Sequence, residues 1–397
     1  MRTAALFAFC FGLLLVGAAQ AADSLNVRLV GGCHTPSACY SVAVRDSYAF
    51  VADFDSGLRV ISMVDPAHPT EIGHTDTPDS AVRVTVSGNY AYVVGVQAGL
   101  RVISVADPVH PLEVGSYDTP GIAGSVAVDD NYAYVADMDS GLWVISISEP
   151  THPTKVGHWQ ESGSMTSSIA VAGHFVCIVD YLHGLRVISV ADPANPYEVG
   201  HNDSVGFAAV AARGNYVYVG NNGPRLSVVS LADSTHPVEV GWCNTFEPAG
   251  SIAVDDYCCT TGGERLYVVS VSDPAHPDTA GYYYKSSWGA HGLATSGDYI
   301  YVASDSGFLV CQRYDAGVEE ATNAELRATN CGPTVVRGML HLEDRGPRTG
   351  DRAEMLDATG RKLLDLHSGA NDVSLLAPGV YFVSELTGSV RKVIIAR

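Results

Sequence analysis

The stretch GLRVISMVDPAHPTEIG, Gly57 to Gly73, returns as GLRVISVADPVHPLEVG from Gly99, GLWVISISEPTHPTKVG from Gly141 and GLRVISVADPANPYEVG from Gly184. Looser copies are RLSVVSLADSTHPVEVG from Arg225 and RLYVVSVSDPAHPDTAG from Arg265, so the spacing is about 42 residues. A period of that size belongs to repeat architectures, in which one supersecondary unit cannot bury its apolar faces alone and stacks on its neighbours. Working outward from this block, each unit carries four short runs, as in SVAV at Ser125, NYAYVAD at Asn131, GLWVIS at Gly141 and PTKVGHW at Pro153. Runs rich in Val, Ile and Tyr between Gly, Asp and Pro clusters predict strands, hence a four-stranded antiparallel meander. The second run alternates large and small residues with no polar face, as expected of a strand covered on both sides. The first run is built of Ala, Ser, Gly and Val, which suits a place where sheets converge. Radially stacked meanders of this kind form a β-propeller.

Closure of the ring gives the blade number. Seven segments supply the first three strands, beginning near Ser41, Arg83, Ser125, Ser168, Ala209, Ser251 and Gly292, but only six supply the fourth. The seventh ends at FLVCQRYDAG, while VRLVGGCHTP from Val27 aligns without a gap with PTEIGHTDTP from Pro69. The sequence therefore predicts an all-β fold, a seven-bladed propeller over residues 22–317 whose last blade is completed by an N-terminal strand.

The GLRVISVxDPxxPxxVG unit with its preceding NYAYVAD resembles the LVIVD repeat of bacterial surface propellers, over roughly residues 25–315. The resemblance implies the propeller fold and no particular activity.

Residues 1–21 carry Arg2, an apolar stretch through Val16 and Ala19-Gln20-Ala21 before Ala22. That is the pattern of a secretory signal peptide, too short for a transmembrane helix, and no other stretch is apolar enough to span a membrane. The expected location is therefore secreted or cell-surface. After Gly317 the repeat stops. Residues 318–397 read as a linker followed by strands joined by Asp-Ala-Thr-Gly and Ala-Pro-Gly turns, which predict a small Ig-like β-sandwich. This end resembles the C-terminal sorting domain of the type IX secretion pathway and the related FlgD-like folds, through Asp357 to Lys362, Pro378 to Tyr381, and Arg391 with Lys392. It departs at Asn330-Cys331-Gly332-Pro333, where such domains often show Asn-Pro. The resemblance implies export across the outer membrane of a Gram-negative bacterium by the type IX machinery.

The formal net charge of −20 lies on the propeller: residues 22–317 hold 32 acids and 12 bases, against 11 and 10 from Val318 onward. Such a surface repels nucleic acid and anionic lipid, and also keeps an exported protein soluble. Eight cysteines follow the signal segment. Cys177 and Cys259 fall at the tyrosine position of the second strand and read as buried thiols, whereas Cys33 and Cys39 flank a short loop and form the candidate disulfide.

Candidate chemistry gathers on the face carrying the second-to-third-strand turns and the links into each following blade. Asp53, Asp55, Asp137, Asp139, Asp180 and Asp305 make up the candidate metal set, with calcium the one cofactor they suggest. The competing reading is a tight hairpin in which Asp caps the backbone and Gly takes positive φ. The Pro-x-His-Pro histidines occupy one repeated slot on the opposite face and cannot converge on a metal. Departures from the repeat are more informative: Tyr40, Arg83 and His291 are expected at the mouth of the central tunnel, with Trp159, Trp242 and Trp288 in neighbouring loops as exposed aromatics. No nucleophile elbow, zincin motif or phosphate loop is present. The leading functional expectation is a non-enzymatic module binding an extracellular glycan or protein. A hydrolase or lyase with His291 as base and Arg83 as anion clamp, and an inert surface scaffold, are the alternatives.

Overall fold

The computed structural model describes residues 24–314, apart from residues 162, 164, 207, 222 and 246, together with seven strands between 334 and 395. The signal segment 1–21, Phe246, the 318–333 linker and the Asp357 turn lie outside the described residues. No helix occurs among those described. The chain divides into one unit ending at Tyr314 and a second beginning at Asp315.

Seven antiparallel sheets make up the first unit. Blade 1 runs Ser41–Arg45, Tyr48–Ala52, Leu58–Ser62, Thr70–Thr75, from inner to outer strand. Blades 2 to 5 begin with Ala81–Ser87, Ala123–Asp129, Thr166–Ala172 and Ala209–Arg213. Blade 6 begins with Ser251–Val254, and blade 7 comprises Ala290–Ser296, Tyr299–Ser304 and Gly307–Arg313. Each inner strand packs on the next, and that of blade 7 on that of blade 1, so the ring is closed.

Closure uses the N-terminal strand, as the gapless alignment requires. Val27–Cys33 pairs antiparallel with Gly307–Arg313, placing Leu29 opposite Cys311 and Cys33 opposite Phe308. A second tie was not legible in the sequence: Ser24–Leu25 adds a fifth strand to blade 6, opposite Tyr283 and Tyr282. The turn between the two ties is held by Asn26, in the left-handed region, whose Nδ2 donates to the Ala280 carbonyl at 2.8 Å.

The glycine of each Val-Gly pair explains why the repeat keeps it. A Cβ on Gly73 would stand 2.4 Å from the Pro108 carbonyl oxygen, on Gly157 2.1 Å from that of Pro193, and on Gly241 2.3 Å from that of Pro274. These outer strands therefore lie backbone-to-backbone on the Asp-Pro turn of the following blade. Gly31 meets Pro66 in the same way, which fixes Val27–Cys33 as the missing outer strand. Blade 7 has no such turn to offer Gly281, and the N-terminal segment replaces it, with the Leu25 carbonyl 2.6 Å from the Cβ position. Between blades, second-strand residues such as Tyr134, Ala136, Ile178 and Cys177 are sealed in close-packed cores.

The second unit has a five-stranded sheet and a two-stranded one. In the larger, Val390–Ile395 lies between Thr334–Val336 and Gly379–Glu385, and Arg352–Leu356 then leads to Lys362–His367; Met355 and Leu366 are buried.

Candidate functional site

The aspartates of the second-to-third-strand turns work as backbone clamps. Asp137 is fully buried and accepts from the Asp139 and Ser140 amides through one oxygen and from Gly121 N, at 2.9 Å, through the other. Asp180 takes Leu182 N and His183 N at 2.8 and 2.9 Å and reaches Met165 N in the same manner. Asp53 accepts from Ser37 N and lies 3.7 Å from the buried Arg59. Each carboxylate ties its own turn to the segment entering the same blade, which is the capping alternative of the sequence reading. Asp55 accepts from Ser80 Oγ, Asp139 is exposed, and Asp305 receives His291. The candidate metal set is thus spread around the ring and, Asp139 apart, already partnered, and no group of three or more His, Cys, Asp or Glu among the described residues is placed to hold a metal.

The cysteine expectation needs correction. Cys33 and Cys39 are both free. The buried Cys39 Sγ lies 3.0 Å from Thr35 Oγ1 and 3.5 Å from Asp53, within the clamp of blade 1. Burial, with the Asp53 charge adding to it, pushes its thiol up to about 12. Cys177 and Cys259 are buried, as their strand position requires.

The tryptophans also depart from expectation. Trp288 is not a surface aromatic: it is 0% exposed, packed among Leu293, Val302 and Cys311, because the link into blade 7 folds inward under Tyr283. Trp159 ends the outer strand Thr154–Trp159 and is half-buried against blade 4. Trp242 is 56% exposed, but it stands on the outer strand Val238–Asn244, with Arg225 4.7 Å from its ring centre. It belongs to the rim, where one shallow groove opens between Trp242 and the His276–Asp278 turn. A second opens between His201–Ser204 and Thr235–Val238.

Tyr40, His291 and Arg83 do come together. Tyr40 and His291 stack with ring centres 4.6 Å apart and planes within 4°, and Phe54 stacks on Tyr40 at 4.8 Å. His291 Nε2 lies 2.7 Å from Asp305 Oδ1. Arg83 Nη1 donates to the carbonyls of Val82, at 3.0 Å, and Tyr40. Register separates their roles. His291 occupies a bulge between Ala290 and Gly292, and Val82 the corresponding bulge of blade 2. Arg83 follows one residue later, where blades 1, 3 and 4 have Ser41, Ser125 and Ser168. Inner strands are close there: a Cβ on Gly292 would be 2.7 Å from the Tyr40 carbonyl oxygen. Desolvation lowers the Arg83 pKa, and Tyr181, two blades round the ring, is within its electrostatic reach.

Phe54 was missed in the sequence, although a signal for it exists. The residue after the clamp aspartate is large in three blades, Phe54, Met138 and Tyr181, and so forms an apolar set on one face. Phe54 holds φ of 40°, an unfavourable backbone for an aromatic residue, and is pinned there by a bridge to Ala81.

Seven blades, six of four strands and one of five, closed on a ring, with side chains from several blades meeting at one mouth, define a β-propeller. The LVIVD repeat matches seven segments, residues 38–77, 79–119, 120–160, 163–203, 208–245, 248–284 and 289–311, and the chain belongs to the LVIVD repeat family. No curated protein matches it. Among solved structures, one chain of a mitotic checkpoint complex aligns with a TM-score of 0.59 at 12% identity, covering 79% of this chain and 99% of that one. At that identity the likeness concerns the fold alone.

Proposed function

We propose that this protein is an exported binding module whose propeller presents its turn-bearing face, centred on the tunnel mouth, to an extracellular glycan or protein partner. The observation that carries the reading is the contact of Tyr40, His291, Phe54 and Arg83, drawn from three blades onto one spot although the repeat itself asks for none of them. A packing role alone would be met by the Ser and Gly residues that neighbouring blades use. Export is supported by the signal-like residues 1–21. The two small antiparallel-rich sheets at the C-terminus, with Arg391 and Lys392 in the last strand, support an Ig-like sorting domain read by the type IX machinery at the surface of a Gram-negative bacterium. Binding of the full chain to an extracellular glycan panel tests the reading. Capture is expected for the parent and reduced at least tenfold by His291→Ala, with an unchanged melting temperature; equal capture by both would sink it.

The pairing of His291 with Asp305 favours a second reading. A carboxylate 2.7 Å from an imidazole orients it as a general base, and Arg83 beside it would hold an anionic substrate for a hydrolase or lyase. Turnover of a sugar or ester that is lost in Asp305→Asn while binding persists would establish this alternative.

A further inference from the structure

Arginines of this propeller are, as a rule, paired with acids. Arg59, Arg101 and Arg186 in the third strands each have carboxylates within 4.0 Å, as do Arg45, Arg213 and Arg313 at strand ends. Arg83 has none among the described residues: its Nη1 is spent on two backbone carbonyls, while Nε and Nη2 have no hydrogen-bond partner there. Nor are those two atoms sealed, in contrast to Arg59 Nε and Arg101 Nε. Thirty-two acids surround the 12 bases of this unit, so the absence of a partner reflects position, not supply. A half-buried cation with one open edge of its planar fork is a receptor for a carboxylate, which that edge engages through two parallel hydrogen bonds.

The surroundings narrow the class of ligand. The His291–Tyr40–Phe54 stack gives an aromatic wall, and Arg83 Nη1 reaches it through the Tyr40 backbone carbonyl. Tyr40 lies between two rings and has little face to offer, which leaves His291 and Phe54 to meet a ligand ring. Asp305, 60% exposed, and Asp55 place hydroxyl acceptors around the mouth, and Tyr181 contributes a hydroxyl from across it. An aromatic wall, acceptors for several hydroxyls and one fork for a carboxylate match a sugar that carries its own acid. The acidic unit opposes densely charged polyanions and tolerates one carboxylate at one cation.

We infer that the mouth binds a uronic acid residue of a polysaccharide, its carboxylate on Arg83 and its ring against His291 and Phe54. This rests on the binding reading above and names its ligand. The test is calorimetric titration of the full chain with an oligosaccharide ending in glucuronic acid, its counterpart ending in glucose, and acetate. The acidic oligosaccharide should bind at least tenfold more tightly than the neutral one. Arg83→Gln should remove that preference, Arg83→Lys should restore part of it, and Phe54→Ala should weaken both sugars. Arg83→Gln should fold at least as well as the parent, because it removes an unpaired cation. Equal affinity for both sugars, each lost in Phe54→Ala, would overturn the inference and leave the binding reading intact. Binding of either sugar unaffected by any of these variants would overturn both. A preference for acid that survives in Arg83→Gln would also overturn the inference.

Discussion

Replacing Gly157 with Ala should destabilise the propeller through a contact that no pairwise strand argument would reveal. The new Cβ would stand 2.1 Å from the Pro193 carbonyl oxygen and 2.9 Å from Pro196 Cδ, whereas real Cβ contacts stay beyond 3.0 Å. Both neighbours are held in the Asp-Pro turn of blade 4, so outer strand and turn must part by about 0.9 Å. Overpacking of a close-packed site costs about 1–3 kcal/mol, and the upper half applies here because the clash is with backbone. Part of this, about 0.4–1 kcal/mol, is offset by the smaller entropy of the unfolded Ala chain. Gly223→Ala is the control: nothing lies within 4 Å of its Cβ position and its φ is ordinary. A net loss of about 2 kcal/mol should lower the thermal midpoint by roughly 3 °C for a unit of this size, with the control unchanged or slightly raised. If Gly157→Ala melts within a degree of Gly223→Ala, outer strands do not rest on the next blade's turn and the account of the repeat glycine fails.

Removing residues 22–33 should expose the edge of Gly307–Arg313 and strip the fifth strand from blade 6, giving self-association visible by size-exclusion chromatography; a well-behaved monomer would show that the ring closes without them. Burial holds the Cys177, Cys259 and Cys311 thiols at about 12, so they should resist a thiol reagent at pH 8 in the folded protein and react once it is unfolded; fast native labelling would contradict their placement. By linkage, the unfolded chain loses these protons first, so their contribution to stability should decline as pH rises above about 8.5, the ordinary thiol value. Asp65, Asp107 and Asp273 are held below the usual carboxylate range, first by the histidine three residues on and then by a backbone amide. Their contribution is therefore complete above about pH 4 and lost as pH falls through the depressed folded values, and NMR titration of these carboxyls should find all three low. Asp137→Ala leaves three amides without their acceptor and should cost about 2–4 kcal/mol, with calcium giving no rescue; calcium-dependent stability of the parent would favour the metal reading instead.

Much of the architecture was legible because repetition makes each residue's role visible several times. The gapless match of Val27–Gly31 to Pro69–Gly73 located the closing strand, since the same glycine must pass the same proline carbonyl. The tie of Ser24–Leu25 to blade 6 was not legible, because it fills a place left by a turn that blade 7 lacks and no other copy shows it. At the mouth, departures from the repeat identified Tyr40, Arg83 and His291, whereas Phe54 was hidden in a turn slot whose outward direction depends on its left-handed backbone. Trp288 was misread because a loop position does not tell whether its side chain turns toward solvent or core. Cys33 and Cys39 were misread because six residues of separation say nothing about Cys39 facing Thr35 and Asp53.

The claim that the mouth is the binding site is tested most directly by hydrogen exchange of the full chain with and without the acidic oligosaccharide. The account predicts slowed exchange of backbone amides at residues 39–41, 54–56, 82–84 and 290–292. Protection confined to the rim around Trp242 and the His276 turn would contradict it.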